Sequence, residues 1–467
     1  MRLGWIVILA ALVGCDGGSQ DDDSAPGGDD DDATGADDDD DSGDDDSSEN
    51  PCTTPEGEIT FDAHGGDERV QLEATGFFRT EKVCERWWLV TPEGHPFYSF
   101  GVNTITPYGD TGVETGVANY AETVNASYAS HDEWADTAVE RLHSWSLNTA
   151  GCWSSATLMF PRMPYTYSLD LASDDWVEGT VADYFDPDWI ATVEDNAVSA
   201  ADRADDPNLI GYFLDNEIRW GADWRGFDTL LQLYLALPED AAGKGVAVQL
   251  LLDELGDVDG INAVLGTDFA DEDEVRATTE GWDALDHDCG GVAPGLTTAF
   301  LETAAEQYFS VTTAAIRAHD TNHMLLGNRE VSVTTRLEVY EAAAPHLDVL
   351  SINNYVFFEV VTEGALALSG SLDPAEGFAE LHGHVDMPIL ITEFGFRADD
   401  SGMPNTWPPQ YPTLETQDDR ADAFEEYALD KQAVPWIVGY HWFEWVDQPP
   451  DGRFDGEDNN WGLVSEQ

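Results

Sequence analysis

Residues 209–221 read LIGYFLDNEIRWG. Leu209, Ile210, Tyr212, Phe213 and Leu214, with only Gly211 among them, form an apolar run of strand length. Such a run predicts a strand buried on both faces, and hence a parallel sheet. Asp215, Asn216 and Glu217 follow at once, so a carboxylate is delivered just past the strand end. Residues 388–396, PILITEFGF, have the same form and deliver Glu393. In closed α/β barrels the reacting groups stand at the C-terminal ends of the strands.

Six further strand candidates lie at barrel spacing: Phe97–Asn103, Leu147–Trp153, a weaker Tyr165–Leu171, Met324–Arg329, Leu347–Tyr355 and Trp436–Trp445. Helical periodicity occupies most of the gaps, over Glu133–Trp145, Trp189–Arg203, Thr297–His319 and Asp418–Gln432. Alternation of this kind predicts an α/β fold, a (β/α)8 TIM barrel over residues 96–467. Residues 51–95 read as an N-terminal β segment that caps the barrel floor. The stretch from Trp224 to Pro294 reads as a helical insertion after strand four, lying over the catalytic rim. The chain stops soon after strand eight, leaving no room for an eighth helix. Either the N-terminal segment fills that groove or the polypeptide is incomplete.

Residues 1–15 form a targeting segment. Arg2 supplies the positive start, Ile6–Val13 is too short to span a bilayer, and Cys15 follows small residues. Leu12-Val13-Gly14-Cys15 resembles a bacterial lipobox, which implies cleavage before Cys15 and lipidation of its sulfur. That would make this an exported lipoprotein of the bacterial cell envelope, held to the membrane through Cys15, with the leaflet left open by Asp16. Residues 16–50 contain 17 acidic groups and no basic one, an extended tether that cannot build a core.

The rest of the chain is also acidic. The formal net charge is −75, and Lys82, Lys244 and Lys431 are the only lysines. A field of that sign disfavours nucleic acid and anionic polysaccharides and leaves a neutral saccharide as the expected partner. Cys52, Cys84, Cys152 and Cys289 allow three pairings, and Cys52 with Cys84 is expected from their shared place near the N-terminus. No Cys or His pair has zinc spacing; the His382/His384 pair falls in a loop, and Asp451–Asn460 departs from EF-hand spacing. No metal or cofactor is expected.

Two carboxylates facing each other over a sugar can break a glycosidic bond. With retention of configuration they stand roughly 5–5.5 Å apart. Glu217 and Glu393, on strands four and seven, are expected to meet across the barrel mouth. Glu217 is expected to act as acid and then base, its pKa raised by burial and by the neighbouring charge. Glu393 is expected to act as the ionised nucleophile.

Five stretches carry a family likeness: RWWLVTPEGHPFYSFGVN (86–103), GYFLDNEIRWG (211–221), LGDVDGINAVLGT (255–267), ITEFGF (391–396) and VGYHWFEWVDQPPDGRFDGEDNNWGLV (438–464). Together they resemble the retaining (β/α)8 glycoside hydrolases of clan A, and most of all the β-agarase family, family 50, and related β-galactosidase-type families. The resemblance implies that Glu217 is the acid/base and Glu393 the nucleophile. It further implies that Asn216 grips the sugar 2-hydroxyl, Tyr355 partners the nucleophile and Trp442 stacks on sugar. Asn103, His441, Glu444, Asp447, Gln448, Arg453 and Asn460 are the further substrate-binding candidates, whereas Trp153 reads as core. The sequence departs from the agarase pattern at Arg219, Leu265, Gly395 and Glu444-Trp445, which bears on the substrate and leaves the reaction class alone. The implied activity is hydrolysis of β-glycosidic bonds in a neutral, agarose-like galactan or related β-glycan. The alternative is an inactive glycan-binding lipoprotein on the same scaffold.

Overall fold

A computed structural model of the chain describes residues 57–172, 176–285, 294–355, 377–409 and 411–466. Cys15, the tether, Cys52 and Cys289 lie outside these residues. Cys84 is disulfide-bonded, and Cys152 is a free, buried thiol.

The chain enters through an antiparallel sheet of β1 (Arg79–Val83), β2 (Arg86–Val90) and β3 (Pro96–Phe97). Cys84 and Glu85, both at positive φ, make the two-residue turn that the right-handed twist of a hairpin favours. Before the hairpin, Asp62 accepts from Thr91 Oγ1 at 2.5 Å and lies 2.8 Å from His95 Nδ1, and His64 Nδ1 lies 2.7 Å from Glu93. These contacts tie the leading loop to the turn at 91–95.

Nine strands then pair in one all-parallel sheet: β4 (Ser99–Val102), β5 (Thr149–Ala150), β6 (Tyr165–Ser168), β7 (Leu209–Phe213), β8 (Met324–Leu325), β9 (Glu330–Val331), β10 (Leu350–Asn353), β11 (Ile389–Phe394) and, after a short ribbon of β12 (Arg397–Ala398) and β13 (Thr413–Leu414), β14 (Ile437–Trp442). Their order is β8-β7-β6-β5-β4-β14-β11-β10-β9. The two edge strands are halves of the fifth barrel strand. Between them the chain turns at Gly327 and Arg329, both at positive φ. Hydrogen bonds cross this break on both sides. Leu214 N donates to Gly327 O at 2.9 Å, and Arg329 N donates to Ser351 Oγ at 2.8 Å. The sheet thus closes into a barrel of eight strand positions with a seam in the fifth.

The N-terminal sheet does more than lead into the barrel. Phe78, Leu89 and Phe97 join Ile210, Met324, Val349, Leu390 and Val438 in a cluster buried at the N-terminal ends of the strands. Trp87 N donates to Pro435 O at 2.7 Å and Lys82 pairs with Asp386 at 2.8 Å, pinning the hairpin under β11 and β14. The floor is therefore plugged by apolar side chains.

Helices His131–Ser144, Pro187–Ala197, Pro294–Arg317 and Gln417–Ala433 occupy the expected places within a few residues. Ser130, Asp186 and Thr416 cap three of them by accepting from backbone N–H groups of the first turn. The insertion after β7 is helical, over Leu230–Leu235, Ala242–Leu255, Val258–Leu265 and Glu272–Ala277. Among the described residues no helix is long and apolar enough to cross a membrane.

Candidate active site

Glu217 stands just beyond β7 on a backbone with φ +50°, a conformation unfavourable for a side-chain-bearing residue. Its surroundings hold it there. Its N–H donates to Asn328 O at 2.9 Å, and its carbonyl accepts from Arg225 Nη1 at 3.0 Å. The residue is only 9% exposed. Asn353 Nδ2 donates to Oε1 and Trp176 Nε1 to Oε2, each at 2.8 Å. Burial first, and the charge of Glu393 second, push its pKa up to about 7, against the pull of both donors and of Arg225.

Glu393 is the penultimate residue of β11 and is 6% exposed. Tyr355 donates to its Oε2 at 2.7 Å, and Arg329 Nη2 forms an ion pair with its Oε1. Arg329 also donates from Nε to Asn216 Oδ1 at 2.9 Å. Backbone register shows why the two acids converge. Asn353 is the cross-strand neighbour of Glu393 and sends its side chain to Glu217, while its Oδ1 accepts from Thr392 at 2.7 Å. The two acids are near enough for the charge of Glu393 to be felt at Glu217.

Glu217, Glu393, Asn216 and Tyr355 are thus gathered at the mouth. The remaining candidates are distributed differently. Asn103 and His441 are fully buried inside the barrel, Asn103 donating to Thr392 O at 2.9 Å and His441 Nε2 lying 2.9 Å from Ser99 Oγ. Burial, reinforced by Arg329, takes the His441 pKa down to about 3, so the ring is neutral. Trp442, 2% exposed, packs outward against Phe394, Phe424 and the Arg420 guanidinium and donates to Trp461 O at 2.7 Å, so protein occupies its faces. Asp447 and Asn460 bond each other at 2.7 Å, and Gln448 donates to Glu457 at 2.6 Å, bracing the loop after β14. Arg453 and Glu444 belong to a buried cluster with Asp110, Asp455 and Glu457. Burial raises Glu444 to about 8 and Glu457 to about 7, and the charge of Glu393 adds to the latter.

Sequence reasoning singled out neither Arg329, Asn353 nor Trp176. Arg329 closes an apolar strand run, where a long cation has no reason to be unless it meets an anion. That was the available signal. Trp153 differs from its expected core role, being 43% exposed. Asp62, His64 and Glu93 offer metal-type ligand atoms within 4.8 Å of one another. They lie in the N-terminal segment and bond to each other and to the backbone there.

No protein-family model matches the chain. It is 26% identical over 470 residues to β-agarase B, and 28% over 443 residues to β-agarase A, both of Vibrio sp. (strain JT0107). Over most of its length the chain is similar in sequence to these two β-agarases. The matches cover 85% and 81% of this chain but 47% and 42% of those two proteins, so it spans less than half their length. Among solved structures, an agarase superposes with a TM-score of 0.69 at 26% identity, covering 87% of this chain and 64% of that one. An exo-β-agarase superposes equally well at 22% identity, over 87% of this chain and 64% of its own, a likeness of fold.

The departures from the β-agarase pattern have structural counterparts. A side chain at Gly395 would meet Phe443 O at 2.8 Å and the Trp461 ring at 3.0 Å, so no larger residue fits. Arg219 turns away from the acids to Gly221 O at 2.8 Å and Gly179 O at 3.2 Å, bracing the loop behind Glu217. Leu265 is buried with the insertion's apolar residues.

Proposed function

We propose that the protein is a retaining glycoside hydrolase that cleaves β-glycosidic bonds in a neutral, agarose-like galactan by double displacement. The observation that carries this reading is the contrast between two neighbouring carboxylates. One is buried and protonated up to about pH 7, and the other is held by a guanidinium and a phenol. In the first step Glu393 attacks the anomeric carbon while Glu217 gives its proton to the departing oxygen. In the second, Glu217 takes a proton from water, which attacks the same carbon and releases Glu393. The agarase relatives support the substrate class. Asn216, oriented by Arg329, is placed to grip a hydroxyl of the reacting sugar.

The test is a panel of neutral polysaccharides and chromogenic β-galactosides given to the native protein and to Glu393→Gln, with the anomer of the first product read by NMR. Turnover with retention, lost in the variant, is expected. Turnover that survives the substitution removes Glu393 as nucleophile, and an inverted product removes the double displacement. We also propose export and tethering through a lipidated Cys15. A mature N-terminus other than an acylated Cys15, found by mass spectrometry, refutes it.

A further inference from the structure

Trp153 lies three residues beyond β5, at the C-terminal end of the barrel strands. Most tryptophans around the mouth are committed to the protein. Trp176 donates to Glu217, Trp220 to Glu330, Trp442 to Trp461 O and Trp445 to Tyr120. Trp153 is 43% exposed, and among the described residues its indole N–H has no acceptor and no aromatic ring lies against it. Its one ring contact there is with Arg329, whose guanidinium carbon lies 4.6 Å from the ring centroid.

That contact fixes its position relative to the chemistry. Arg329 reaches Asn216 and Glu393. The indole therefore stands one side chain away from the nucleophile and from the residue that would grip the sugar. The backbone at Trp153 has φ +60°, an unfavourable conformation for a bulky residue, and such strain persists where the surroundings over-determine it. A large apolar surface kept open to water beside buried acids gains nothing for the fold. It gains a purpose when the apolar CH face of a pyranose covers it.

Resting on the hydrolase reading, we propose that Trp153 is the stacking platform for the saccharide at the reacting site, its exposed face taking the CH face of a neutral pyranose and its free N–H meeting a hydroxyl. The face toward Arg329 keeps the guanidinium in place. The role that the family resemblance assigns to Trp442 then falls to Trp153, two strand positions along the sheet from β14.

The experiment uses the full chain, its Trp153→Phe and Trp153→Ala variants, and tetra- and hexasaccharides cut from agarose, with turnover followed by product chromatography and binding by calorimetry. Trp153→Ala is expected to raise KM and Kd together by about tenfold while kcat moves much less, and Trp153→Phe to restore most of the loss. A variant that is damaged structurally loses kcat and thermal midpoint together, and Phe does not rescue it. Unchanged KM and Kd in Trp153→Ala, with wild-type turnover intact, overturns the platform and leaves the hydrolase reading standing. Binding that depends on Trp153 without wild-type turnover keeps the platform and removes the hydrolase reading. No binding by the wild type removes both.

Discussion

Replacing Trp176 with Phe keeps an aromatic ring beside Glu217 and removes the N–H that donates to its Oε2 at 2.8 Å. That bond favours the ionised carboxylate, so its loss raises the pKa of the acid further above about 7. A hydrogen bond to a charged group contributes about 1.5–3 kcal/mol, and about 1.4 kcal/mol corresponds to one pKa unit. A shift of about one unit, to roughly 8, is the conservative expectation. In the proposed hydrolysis bond cleavage needs the proton on Glu217, so the alkaline limb of kcat/KM is expected to move up with it. At pH 8 the protonated fraction rises from about a tenth to about a half, a gain of roughly fivefold relative to each enzyme's own plateau. The assay is kcat/KM on one oligosaccharide from pH 5 to 9 for both proteins. Normalising to the plateau removes any loss caused by the missing indole. An alkaline limb that stays in place, or moves down, refutes the assignment of Glu217 as the proton donor controlled by this bond.

Arg329 and the buried acids give further expected outcomes. Arg329→Met leaves Glu393 buried without its ion pair, which is expected to cost about 3–5 kcal/mol in urea denaturation and to abolish turnover. Arg329→Lys is not expected to restore turnover, because an ammonium cannot hold Asn216 and Glu393 together as the fork does; full recovery with Lys refutes the two-pronged role. Glu217, Glu330, Glu444 and Glu457 all have raised pKa values, to about 7, 7, 8 and 7. Between the unfolded carboxylate value near 4.3 and these folded values the native state binds more protons, so stability is fully present below that window and is lost as pH rises through it. The thermal midpoint is expected to be higher at pH 5.5 than at pH 8, and a midpoint that rises over this interval contradicts the burial of these acids.

The parts of this structure that could be read from the chain are those with a strong period or a strong local oddity. The long helices and the buried strands of β7, β11 and β14 have that character, and so do the two glutamates that break an apolar run at its end. Side-chain direction in those strands was harder to read. WIVGYHW is apolar on both faces, so no alternation tells which residue looks inward, and His441 inside and Trp442 outside are set by strand register. The split of the fifth strand was equally hidden, because it depends on how Gly327 and Arg329 turn between two neighbours that are distant in sequence. Trp153 reads as core from the sequence, and only the loop around it decides its exposure.

The seam in the fifth strand gives one residue two duties. Arg329 lies where the last two edges of the sheet are drawn together, and it is also the cation that orders Glu393 and Asn216. An intermediate in which every other strand has docked but residues 324–331 have not would hold most of the native secondary structure and yet turn over nothing. Activity therefore reports closure of the ring, which helical signal alone does not.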